Sequence, residues 1–340
     1  MGHGGYSEDA YDDRAKVRSM TNTPAFAYSA DIHKGVVPEA VHSTMSPTVK
    51  AGARSAFVGT VMRESRDSAD HPESLAIAVI FDVTGSMRRI PELLQQKLSG
   101  LMRLLIAKGY VAHPQILFGA IGDATCDGVP LQIGQFESDI TMEDHLTNIY
   151  LEGGGGNGRQ ESYELAHYFM ARHSSIDCLE KRGKKGYFFT IGDEGFYSTI
   201  RKQDVKKLIG DDLAQDVSAN AIVRELQEKY HVFHIIAEQG SYPNDQPIER
   251  QWRDLLGQSV IKLTDAEAIA EVIGLTIGLS EGTADIDSAV DDLKDVGASV
   301  KSATSVRDSL VPLASTMAIA KASVVTGLPA IADAGGVTRL

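Results

Sequence analysis

The sequence predicts an α/β fold: a doubly wound, largely parallel open sheet with helices on both faces, filling residues 74–281. Three observations predict it. Residues 75–81, Leu-Ala-Ile-Ala-Val-Ile-Phe, are an unbroken apolar run ending at Asp82, as a strand buried on both faces reads. Further apolar runs alternate with segments of helical period, which is the order βαβ units require. Glycine, at 32 residues, gathers in the loops between those runs.

The elements follow in order. Residues 1–73 read as an N-terminal arm or accessory segment. The first 25 are polar, rich in Asp, Ser, Thr and Gly, the composition of an arm that is mobile or ordered by a partner. Residues 26–73 mix short apolar pieces (26–28 and 56–62) with Pro38, Pro47 and Pro72, which break any long helix. Irregular structure with one or two short strands is expected there. After the strand at 75–81, a helix is expected over 90–109, with Leu93, Leu94, Leu98, Leu101, Leu104 and Leu105 at helical spacing. Pro91 suits its first turn and Gly109 its end. Strands follow at 115–121 and 131–136, then a helix at 142–150. Past a glycine tract, 161–173 reads as a helix with Leu165, Tyr168 and Phe169 on one side. Strands are expected at 187–191, 232–237 and 259–263, and helices at 217–230, 248–256 and 266–279. Residues 282–340 read as a helical tail. Ile286, Val290, Leu293, Val296 and Val300 recur every three or four residues, a one-sided helix suited to its own domain or to an assembly contact.

Composition excludes several classes. A formal charge of −13 argues against a duplex nucleic-acid binder, which needs clustered Lys and Arg to neutralise phosphates. Cys126 and Cys178 imply two reduced thiols rather than a disulfide framework. Residues 1–13 contain no apolar signal-like stretch, and no apolar run approaches the roughly 20 residues of a membrane span. The expectation is a cytoplasmic protein with no membrane or nucleic-acid partner; a virion component released by lysis would read the same way.

In open α/β sheets, sites form beyond the carboxyl ends of the strands. After the first core strand stands Asp82-Val83-Thr84-Gly85-Ser86-Met87. In an extended turn, alternate residues point to one side, so Asp82, Thr84 and Ser86 can face one point with oxygen donors alone. Hard, mostly neutral oxygens suit Mg²⁺ or Mn²⁺, with Ca²⁺ a weaker match; the absence of His and Cys disfavours zinc.

Asp-x-Thr-Gly-Ser after an apolar strand resembles the metal-ion-dependent adhesion site (MIDAS) of von Willebrand factor A (VWA) domains, with Thr84 in place of the first Ser. The second loop, Glu152-Gly-Gly-Gly-Gly-Asn157-Gly-Arg-Gln-Glu161-Ser162, lacks the Thr found at this place in many VWA domains. It resembles the variant of integrin β-subunit domains, in which a Glu opening the next helix supplies the ligand. Glu161 matches that role better than Asn157; a first-turn Glu favoured by the helix dipole is the competing account. The third loop, Thr190-Ile-Gly-Asp193-Glu194-Gly195, is similar to the family's closing Thr-Asp-Gly segment, which gives Asp193 a direct or water-mediated contact. The resemblance covers about two-thirds of the chain. It implies a non-enzymatic adhesion or adaptor module in which a partner's acidic residue completes the cation's shell. It further implies an AAA+ ATPase of the MoxR type as a candidate partner; separately, the terminal segments 1–73 and 282–340 suit joining copies of the same chain in a virion or other large assembly.

Competing readings are weaker. Asp123 after the second strand reads as a solvated turn carboxylate that could orient a neighbouring hydroxyl. The tract at 153–158 follows a helix and lacks a Gly-Lys-Ser/Thr ending, which argues against a nucleotide loop. His231 and His234 read as core or edge residues, and His145, His167 and His173 have no acidic or Ser partner at matching spacing. A Mg²⁺-dependent phosphohydrolase with Asp82 as nucleophile would need a second Asp where Thr84 stands, and no general acid is in view.

Overall fold

The computed structural model describes residues 5–48, 62–87, 89–154, 158–237 and 245–326. The side chains of Ser86 and of residues 319–326, together with Asn157, most of the apolar piece at 56–62, and Gly335-Gly336, lie outside the described residues.

The central sheet has six strands: β1 Leu75–Asp82, β2 Pro114–Ile121, β3 Leu131–Ile133, β4 Gly186–Ile191, β5 Tyr230–Ala237 and β6 Val260–Leu263. Their spatial order is β6-β5-β4-β1-β2-β3. All pairings are parallel except β2 with the edge strand β3. Alternate side chains of a strand point to opposite faces, and all eight residues of β1 are buried, so both faces of the sheet are covered. The predicted fold class is the observed one. β2 lies on one side of β1 and β4 on the other, so the strand order reverses at β1. That places a crevice above the carboxyl ends of β1 and β4.

The helix expected over 90–109 is instead broken. One helix spans Arg89–Gln96, a second spans Leu98–Met102, and a wider π turn runs over Arg103–Ala107 before Gly109 reverses the chain at φ 72°. The leucines are nonetheless buried, because the breaks keep them on the inner side.

The N-terminal arm departs most from expectation. Residues Glu8–Thr21 form a helix, α1, capped by Ser7 and closed by Asn22 in the left-handed conformation. Its sequence carries no apolar stripe, and only Tyr11 is buried. Tertiary pairs hold it: Arg18 donates to Glu143 at 2.8 Å, Arg14 reaches Asp144, and the Tyr11 hydroxyl donates to the Gln95 carbonyl at 2.7 Å. A second helix, Ala27–His33, and a short strand, Arg63–Ser65, complete the segment; that strand pairs in parallel with Ser174–Ile176.

In the tail, the run from Ile286 to Val300 is two helices rather than one. Ala289–Asp295 ends before Gly297 (φ 100°), and a longer helix spans Val300–Thr326. Leu293, Val296, Ala303, Val306, Leu310 and Leu313 are all buried in the same cluster as the sheet. Among the described residues, no helix is long and apolar enough to cross a membrane.

Candidate metal centre

The three loops singled out in the sequence meet in space. Val83 donates to the Ile121 carbonyl at 3.0 Å, which fixes the start of the first loop against β2. The glycine tract then locks onto that loop: Gly153 donates to Val83 O at 3.2 Å and Gly85 donates to Gly154 O at 2.9 Å. A methyl on Gly85 would sit 3.4 Å from the Gly153 carbonyl, in ordinary contact with the glycine tract. The third loop closes on the second through a two-residue parallel pairing, Gln160–Glu161 with Gly195–Phe196. Trp252 Nε1 donates to the Glu194 carbonyl at 2.9 Å and pins the third loop from the side.

Asp82 is fully buried at the end of β1. Its Oδ1 accepts the Thr84 amide at 2.7 Å, while Oδ2 has no hydrogen-bond partner. The Thr84 hydroxyl and Glu161 Oε2 are likewise buried without partners. Asp193 is 1% exposed after β4. Burial raises the Asp82 pKa above the ordinary carboxylate range, opposed by the hydrogen bond from the Thr84 amide, and Glu194 and Asp193 push it further. Burial also raises Glu161, with the charge of Asp82 adding to it, and burial raises Glu194. Desolvation and mutual repulsion thus act in the same direction on three neighbouring carboxyls.

Asp82, Thr84, Glu161 and Asp193 therefore share one buried rim. Glu161 does not open a helix as expected. It belongs to the short strand pairing, and the next helix, Tyr163–Arg172, begins two residues later. Its backbone pairs with Phe196 of the third loop, and its side chain is buried. Among the described residues, no three His, Cys, Asp or Glu side chains stand as a ready-made metal ligand set.

Two residues of the rim were missed from the sequence. Glu194 follows Asp193 and faces Glu161 and Asp82; the acidic pair in a strand-end loop was the available signal. Tyr163 is fully buried with its hydroxyl unpartnered, and a methyl on Gly192 would overlap that hydroxyl and lie 3.3 Å from Asp82 Cβ. Its ring stands edge-on to His234 and Trp252. Asp123 is not a solvated carboxylate. It is 3% exposed and accepts the Thr125 amide at 2.9 Å, the Thr125 hydroxyl at 2.7 Å and the Tyr197 hydroxyl at 3.0 Å. His173 finds an acidic partner distant in sequence, Asp211, at 2.7 Å.

Fold and rim define a class: a doubly wound α/β domain with carboxyl and hydroxyl oxygens at its switch point. No protein-family model and no curated protein matches the sequence. Solved structures similar to this chain include the open conformation of the pilus adhesin SpaC from Lactobacillus rhamnosus GG, at TM-score 0.43 and 9% identity, covering 65% of this chain and 31% of that one. A von Willebrand factor type A protein from Catenulispora acidiphila is similar at TM-score 0.32 and 12% identity, with 62% and 43% covered. The conserved hypothetical protein BatB from Bacteroides thetaiotaomicron is similar at TM-score 0.37 and 11% identity, with 62% and 100% covered. The matched region thus spans about a third of the adhesin's length.

Proposed function

We propose that this chain is a VWA-type, non-enzymatic interaction module whose switch-point rim holds one Mg²⁺ or Mn²⁺ ion and grips an acidic residue of a partner protein. The observation that carries the reading is the set of three buried oxygens without partners, Asp82 Oδ2, the Thr84 hydroxyl and Glu161 Oε2, on loops bonded to one another. Buried polar atoms are rarely left unpaired, because each costs about 1–3 kcal/mol. A hard dication fits the deficit: it satisfies oxygen donors and reverses the repulsion among the carboxyls.

Asp82, Thr84 and Ser86 would supply the first loop's donors, Asp193 the third loop's, and Glu161 the second's. When bound, the ion supplies a Lewis-acidic point with a position open to a partner's carboxylate. The chain's own work is to hold those oxygens in place. Thr84 orients the Asp82 carboxylate through its amide, the Gly85 amide holds the glycine tract through the Gly154 carbonyl, and the pairing at Glu161 joins the second loop to the third. The rim offers a phosphohydrolase no second Asp in the first loop, so that alternative gains nothing. A cytoplasmic setting, with a MoxR-type ATPase or further copies of the chain as partner, remains part of this proposal.

The test is direct titration of Mn²⁺ into the full chain, followed by electron paramagnetic resonance and competed with Mg²⁺. One saturable site, lost in Asp82→Ala while circular dichroism is unchanged, is expected. No saturable binding by the unaltered chain, or equal binding by Asp82→Ala, overturns the reading.

A further inference from the structure

The two segments that meet at Glu161 and Phe196 run on together past the metal rim and enclose a second, smaller space. A cleft of about 190 Å³ is lined by Thr125, Ser162, Glu164, Tyr197, Ser198 and Thr199, with Arg201 and Asp204 at its border. It is smaller than the roughly 300–1,000 Å³ of clefts that enclose whole small ligands. One side chain is the scale that fits.

The lining is chemically specific. Glu164 and Ser162 are buried, at 4% and 1% exposed, whereas Thr125, Ser198 and Thr199 are exposed, so the cleft opens to solvent among hydroxyls and ends on a carboxyl. Glu164 Oε2 has no hydrogen-bond partner. Arg201, the one cation of the lining, pairs with Asp204 at 2.5 Å. Tyr197 is committed to Asp123 through its hydroxyl, which adds a second acidic group behind the wall. Burial pushes the Glu164 carboxyl well above the ordinary carboxylate range, opposed by its own backbone N–H and that of Tyr197, and the charges of Asp123 and Asp204 push it further; a seated cation relieves that penalty, whereas an anion adds to it.

We propose that this cleft receives a basic side chain, Lys or Arg, of the partner that covers the rim, its cation seated on Glu164 and its stem among the hydroxyls. The inference rests on the interaction reading for the source of that side chain but not on the metal. The partner would then present an acidic residue to the ion and a basic residue beside it, a charge pair that fixes orientation as well as affinity. Neither contact alone distinguishes a partner from any other acidic protein.

The probe is n-butylammonium, with n-butanol as its uncharged counterpart, followed by ligand-observed NMR with the full chain in EDTA. Butylammonium is expected to bind and butanol not to. Glu164→Gln is expected to weaken binding about tenfold, the worth of one charge-assisted hydrogen bond. Thr199→Trp, which leaves Glu164 in place and fills the exposed mouth, is expected to block it. Absence of butylammonium binding, equal binding of butanol, or binding unaffected by both variants overturns the proposal. Displacement of the probe by K⁺ or Na⁺ at low concentration overturns it too, in favour of a free monovalent cation. Because EDTA is present throughout, failure here leaves the Mn²⁺ titration of the rim untouched, and failure of that titration leaves this result standing.

Discussion

Thr84 donates its backbone N–H to Asp82 Oδ1 at 2.7 Å, and this short bond within the first loop sets the direction in which the buried carboxylate faces. One oxygen is engaged by the loop's own backbone and the other has no hydrogen-bond partner. The Thr84 hydroxyl, on the same residue, is buried and unpartnered as well.

Adding Mg²⁺ to the EDTA-treated protein is therefore expected to raise its Tm. At a hundredfold excess over Kd the gain should approach about 2.7 kcal/mol. Thr84→Val keeps the shape and removes the hydroxyl. It should leave stability in EDTA within about 1 kcal/mol of the starting protein, because only an unpaired polar group is lost, and should remove most of the Mg²⁺ gain. Calorimetry in the two buffers checks this; an undiminished response in the variant removes Thr84 from the ligand set.

Gly192 and Tyr163 leave no room for a methyl group, since a Cβ on Gly192 would lie 2.8 Å from the Tyr163 ring carbon that bears the hydroxyl. Gly192→Ala is expected to cost about 1–3 kcal/mol by overpacking and to displace the Asp82 side chain beside it. Tyr163→Phe removes the worst overlap and should restore part of the loss in a double-mutant cycle. Strictly additive losses would show that the two residues do not compete for this space.

His167 is fully buried with both ring nitrogens unpartnered, and burial pushes its pKa down to about 3. The unfolded chain takes up a proton near pH 6.5, the folded chain only near 3. Stability attached to this group is present above pH 6.5 and is lost as pH falls towards 3, by about 1.4 kcal/mol per unit. His167→Phe should flatten that part of the acid-unfolding curve. Urea midpoints measured between pH 7 and 5 check it, and parallel slopes would contradict it.

Glu143 is buried and accepts Arg18 at 2.8 Å and Gln95 Nε2 at 2.8 Å, so the N-terminal helix neutralises a carboxylate under the sheet's edge. Arg18→Ala should destabilise the chain by about 1–3 kcal/mol, because it strips a partner from a buried charge. Glu143→Gln in the same chain should recover part of it. Unfolding by urea decides; no loss for Arg18→Ala would mean that Arg14, 3.6 Å from Glu143 Oε2, carries the pair alone.

The fold was legible because its signal is local. A strand covered on both faces must be apolar at every position, and residues 75–82 and 114–121 are buried along their whole length. Helix breaks were not legible where they preserve the buried stripe, as between Gln96 and Arg103. The N-terminal helix was illegible for the opposite reason: it has no stripe, and what holds it is a set of charges more than a hundred residues away.

By itself, the sequence determined the alternation of strands and helices and the positions of the loops that follow the strands. Each follows from composition or spacing within a few residues. Tertiary structure alone decided that β4 crosses to the far side of β1, so that Asp193 joins Asp82, and that Glu161 pairs with Gly195–Phe196 rather than starting a helix. It also brought Glu194 and Tyr163 to that rim and opened the Glu164 cleft beyond it. The reason is geometric: local propensity fixes what a segment can be, whereas the meeting of side chains from distant loops depends on strand order, which no single segment encodes.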